Sequence, residues 1–148
     1  MSLLNYTNES ATLPSYAFSQ LFKVTQIHDA HELILPDHAS EYCYWNMFIG
    51  CTSLTTAPDL PATALAEGCY WSMFYNCASL TTAPTLPATT LVADCYNCMF
   101  RDCTSLTQAP ELPATTLADS CYSNMFERCT SLTQAPELHA TTLAAYCY

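Results

Sequence analysis

The sequence repeats itself. From Cys43 onward it divides into four units of equal length, "CYWNMFIGCTSLTTAPDLPATALAEG", "CYWSMFYNCASLTTAPTLPATTLVAD", "CYNCMFRDCTSLTQAPELPATTLADS" and "CYSNMFERCTSLTQAPELHATTLAAY", followed by Cys147 and Tyr148. Fourteen of the 26 columns are the same in every unit, so the units are near copies and not a loose periodicity. A unit this short cannot enclose an apolar core alone and must stack on its neighbours. Each invariant column then becomes a ladder of identical side chains. Residues 17–42, "AFSQLFKVTQIHDAHELILPDHASEY", follow the same period loosely, with Phe22 in the column of Phe48. They read as a degenerate capping repeat behind an N-terminal tail over 1–16.

Within a unit, Tyr44, Met47, Phe48 and Cys51 are spaced by three, four and seven, which predicts one apolar stripe of a short helix. In "CTSLTTAP", Leu54 and Ala57 are expected to point inward. Pro58 removes a backbone donor and holds the strand to about four residues. Pro61 enforces a turn, and the invariant Leu65 column leads back to the next helical segment. The expected fold class is therefore an α/β solenoid, a stack of short parallel strands with short helical returns and a period of 26.

The ten cysteines need an explanation. Nine fall into two ladders, Cys43, Cys69, Cys95, Cys121 and Cys147, and Cys51, Cys77, Cys103 and Cys129. Free cysteine behaves as a small buried hydrophobe, and a column of one small residue suits close packing between layers. Stacked strands lie ~4.8 Å apart, a separation that admits a disulfide. Equivalent thiols in one column, however, offer no unique pairing. The expectation is reduced, structural thiols. Zinc requires two close ligand pairs, whereas "CYNC" at Cys95 and Cys98 is the one close pair present. His28, His31 and His38 stand near Asp29, Glu32 and Asp37, as a polar outer face of a capping segment requires. No metal site and no cofactor are expected.

Composition narrows the function. Thirteen acidic residues against three basic ones give a formal net charge of −10, which removes the electrostatic footprint of nucleic-acid binding. The apolar fraction is 51%, yet no run reaches the ~18 to 20 residues of a membrane span, so membrane insertion is not expected. "MSLLNYTNES" lacks a basic region and a sustained apolar core, so this stretch is not read as a secretory signal. Asn5 and Asn8 match the N-glycosylation pattern, one short enough to arise by chance. With only Gly50 and Gly68 in the chain, there is no phosphate loop, dinucleotide fingerprint or nucleophile elbow. Ser53, Ser79, Ser105 and Ser131 recur identically, whereas a catalytic nucleophile needs its own base and a unique setting. The chain is read as non-catalytic.

The columns that vary point to a surface. Thr56, Thr82, Gln108 and Gln134 are expected to line the strand face, beside Asp59, Thr85, Glu111 and Glu137. Together they form a polar, acidic strip suited to a basic or hydroxyl-rich protein partner. Trp45 and Trp71, one unit apart, are candidates for an exposed aromatic pair. Cys147 and Tyr148 carry no polar cap, which raises a second possibility, a spacer or a self-associating fragment that dimerises through its last unit.

At the level of "MFxxCTSLTxAPxLPATTL" the chain resembles the BspA-like leucine-rich repeats of bacterial surface proteins, well over 43–148 and weakly over 17–42. It departs from the usual leucine-rich pattern at Ala57, Ala83, Ala109 and Ala135 and at the prolines that follow them. The resemblance implies a right-handed, leucine-rich-repeat-like solenoid used for protein binding or for adhesion to cells or matrix, in an extracellular or cell-surface setting. It carries over no catalytic residue.

Overall fold

A computed structural model describes residues 13–148. Asn5, Asn8 and most of the expected tail over 1–16 lie outside the described residues. The expected leucine-rich-repeat-like α/β solenoid is not what forms. Among the described residues there is no helix, no stack of repeated strands, and no extended pairing beyond isolated parallel bridges.

Turns take the place of helix. Runs of turn cover 15–24, 41–50, 67–76, 93–102 and 119–128, each displaced by one repeat from the last. In the second run, the N–H groups of Trp45, Met47, Ile49 and Cys51 donate to the carbonyls of Tyr42, Tyr44, Asn46 and Phe48, three residues back, at 3.0–3.1 Å. The alternate N–H groups leave the layer. Those of Tyr44, Asn46, Phe48 and Gly50 donate to the carbonyls of Cys69, Trp71, Met73 and Tyr75 at 2.8–3.0 Å. Half the donors thus close turns and half join one layer to the next, which satisfies the backbone without either regular element.

The obstacle to a helix is backbone handedness at every fourth residue. Tyr42, Asn46 and Gly50 have positive φ, as do Gly68, Ser72 and Asn76, then Asp94, Cys98 and Asp102, then Ser120, Asn124 and Arg128. A right-handed helix cannot pass through residues in the left-handed region, whereas a type II turn takes that sign at its third residue, where Asn46 and Gly50 stand. Asn, Asp and Gly hold many of these positions because they tolerate the conformation best. Strands fail for a separate reason. Pro58, Pro84, Pro110 and Pro136, with Pro61, Pro87 and Pro113, interrupt the segments that carry the contacts, each removing a backbone donor. Pairing shrinks to the single-residue bridges Asp29–Thr56, His38–Ala64, Thr82–Gln108, Thr90–Thr116 and Leu112–Leu138.

The stripe read as helical is nevertheless the core. Tyr44, Met47, Phe48, Cys51 and Leu54 are fully buried, as are their counterparts in the next two layers. One aromatic column runs through Phe18, Tyr44, Tyr70, Tyr96, Tyr122 and Tyr148, with centroids 5.2–6.0 Å apart. A second runs through Phe22, Phe48, Phe74, Phe100 and Phe126 at 5.2–6.0 Å. All of these neighbours lie within 13° of parallel. Burying each ring contributes roughly 1.5–3 kcal/mol, and an offset stack about 0.5–1.5 more. Leu60 and Ala62, not singled out by the sequence reading, complete the interior, while Ala57 is only half-buried.

Candidate functional site

The ten cysteines are free thiols, and all but Cys98 are buried. The second ladder does more than fill space. The thiols of Cys51, Cys77, Cys103 and Cys129 donate to the carbonyls of Phe22, Phe48, Phe74 and Phe100 at 2.9–3.2 Å, in each case reaching into the preceding layer. The Phe48 carbonyl already accepts the Cys51 N–H, so the Cys77 thiol takes its second lone pair from the neighbouring layer. Burial holds six of the buried thiols away from ionisation, Cys43 and Cys129 raised to about 11 and Cys95 to about 12, with Cys69, Cys77 and Cys103 higher still. A thiol held neutral is neither a nucleophile nor a metal ligand.

Two exposed faces remain. On the first, Thr56, Thr82, Gln108 and Gln134 are exposed and lie one per layer, with Thr82 bridged to Gln108 and Thr56 to Asp29. Asp59, Glu111 and Glu137 are exposed beside them, across the Ala-Pro pairs. The layers do not meet flush here. A depression of about 430 Å³ is walled by Ala83, Pro84, Leu86, Pro87, Pro110 and Glu111. One layer on, Ala109, Pro110, Glu111, Pro136, Glu137 and His139 wall a second of about 360 Å³. The prolines that break the strands also build these walls.

On the second face, Trp45 and Trp71 do not pair with each other as expected. Each packs on a tyrosine of the preceding layer, Trp45 edge-on to Tyr16 at 6.1 Å and Trp71 tilted on Tyr42 at 6.2 Å. Tyr16 and Tyr42 stack at 5.2 Å and complete a strip of four rings. Tyr42 donates its hydroxyl to Glu67 at 2.7 Å, and this bond, with burial and the surrounding carboxylates, raises its pKa to about 12. Gly68 makes room, because a Cβ there would fall 2.3 Å from the Tyr42 ring. Tyr16, Tyr42, Glu67 and Gly68 were missed from sequence. The available signal was the spacing of the two tyrosines by one full repeat.

The histidines do not converge. His31 lies 2.8 Å from Asp29, whose oxygen also accepts the His31 backbone N–H at 2.9 Å, and the pair raises the His31 pKa and lowers that of Asp29. His38 instead faces Asp37 at 3.2 Å. Among the described residues no group of three His, Cys, Asp or Glu is arranged to hold a metal ion. A depression of about 510 Å³ beside His31 is lined mainly by Phe22, Ile27, Ala30 and Leu33.

No family model, curated protein or solved structure matches this chain.

Proposed function

We propose that this chain is a non-catalytic binding module, suited to attachment to a protein on a cell or matrix surface. The face of Thr56, Thr82, Gln108 and Gln134, with Asp59, Glu111 and Glu137, is its contact surface. One observation carries the reading: the proline-and-acid depression recurs in successive layers with Glu111 shared between the two copies. A repeated recess with an acidic rim suits an extended basic or hydroxyl-rich partner that crosses several layers, and weak contacts then add through multivalency. The residues shared with BspA-like repeats support the same reading at the level of the motif alone.

Binding to a panel of immobilised basic and hydroxyl-rich matrix proteins tests it. Changing Thr56, Thr82, Gln108 and Gln134 together to Lys is expected to reduce binding by at least tenfold, because four cations oppose a basic partner at contact distance. Undiminished binding by that variant would place the contact elsewhere. A second reading, self-association through the last layer, is favoured by the exposure of Leu138, Leu143 and Tyr146. Light scattering across concentrations separates the two, since only self-association raises the mass with concentration.

A further inference from the structure

We propose that the strip of Tyr16, Tyr42, Trp45 and Trp71, with Glu41 and Glu67 beside it, is a second docking surface, and that its occupant is an arginine side chain of a basic protein partner. The four rings form one continuous group over three successive layers, with neighbouring centroids 5.2–6.2 Å apart. Tyr16 is 52% exposed, and the two tryptophans and Tyr42 are half-buried, so the strip has a solvent side. Glu67, whose carboxylate accepts the Tyr42 hydroxyl, and Glu41, next to Tyr42 in the chain, are both exposed. A planar guanidinium stacks on aromatic faces and also takes a carboxylate in a fork, a combination an ammonium reproduces poorly.

Among the described residues the molecule makes this combination internally. In the column four residues beyond the tryptophans, the Arg101 guanidinium lies 5.6 Å from the Tyr75 ring centre and donates to Glu127 at 3.1 Å. That contact links three layers through aromatic ring, cation and acid. The strip presents the ring and the acid, and the chain supplies no guanidinium for it. Arg101 and Arg128, its two arginines, are engaged with Asp102 and Glu127 at 3.1–3.9 Å. With a net charge of −10, the missing cation comes from outside.

The test is direct because both tryptophans of the chain lie in the strip, so emission excited selectively from tryptophan reports this surface. A short oligo-arginine peptide is titrated into the full chain, with oligo-lysine of equal length as the comparison. The expected result is a saturable change in tryptophan emission, tighter for arginine than for lysine by about fivefold. The double change Glu41→Gln and Glu67→Gln is expected to weaken arginine binding by about fivefold or more. Glu32→Gln with Asp37→Asn removes the same charge from exposed carboxylates that belong to neither proposed surface and is expected to change it less than about twofold. Equal weakening by the two pairs, no preference for arginine, or binding without a change in emission would each overturn the proposal. Because the control pair belongs to neither proposed surface and the readout is tryptophan emission, failure here leaves the face of Thr56, Thr82, Gln108 and Gln134 standing.

Discussion

The third and fourth repeats are nearly the same text, yet their side chains meet different surroundings. Leu112 is 3% exposed and Leu138, its counterpart one repeat on, is 52% exposed. Leu91 is 4% exposed, whereas Leu143, two repeats along the same column, is 67% exposed. Cys103 is fully buried and Cys129 retains 8%. Residue identity does not set these differences. A side chain in this architecture is buried by the layers on both sides of it, so its energetic weight belongs to the interface between neighbours.

The largest expected contrast comes from the phenylalanine column. Phe74 is fully buried between Phe48 and Phe100, and Phe74→Ala is expected to cost about 3–5 kcal/mol in a urea unfolding experiment. Phe126, which among the described residues stacks in this column on Phe100 alone and is half-buried, is expected to cost less than half as much when truncated. Equal losses would break the comparison, because burial would then be uniform along the stack. The leucine pair sharpens it. Leu112→Ala is expected to destabilise by about 2–4 kcal/mol and Leu138→Ala by less than about 1 kcal/mol.

The same contrast governs what was legible in the sequence. Spacing alone picked out Tyr44, Met47, Phe48 and Cys51, and all four are buried, because inward-facing positions of a repeat must be apolar whatever the backbone does. Of Leu54 and Ala57, expected to point inward from a strand, Leu54 is buried and Ala57 half-buried. The type of element was not legible by that route. A spacing of three, four and seven is shared by a helix and by overlapping three-residue-closed turns, and periodicity cannot separate them. The distinguishing signal lay in two columns that the sequence reading did not use. Gly50, Asn76 and Asp102 share one column and Asn46, Ser72 and Asn124 another, and their chemistry is that of positive φ. The aromatic strip escaped for the opposite reason. Tyr16 lies in the degenerate region and Tyr42 at the edge of the first clear repeat, so their stacking is visible only once the layers are in register.

A smaller effect follows from the thiols. Cys43, Cys95 and Cys129 ionise near 9 when unfolded and at about 11 to 12 when folded, with burial the main cause. Their folded pKa is raised, so the stability they contribute is complete below about pH 9 and is lost as pH rises towards their folded values. The urea midpoint is expected to hold steady between pH 7 and about 8.5 and to fall between about pH 9 and 11. A midpoint that stays flat to pH 11 would contradict buried neutral thiols. Reaction with a thiol-specific reagent at neutral pH gives the finest contrast. Cys98 is the partly exposed thiol and is expected to react first, and Cys98→Ser is expected to remove that fast phase while changing stability by no more than about 0.5 kcal/mol.

The central claim is that backbone hydrogen bonds run between equivalent positions of adjacent repeats through stacked turns. Through-hydrogen-bond NMR couplings in the isotope-labelled chain test it most directly. The Phe74 N–H is predicted to couple to the Met99 carbonyl, in the next layer, across a bond of 3.0 Å. A coupling from Phe74 to the carbonyl of Tyr70 instead would mean a helical turn at that position and would contradict the account.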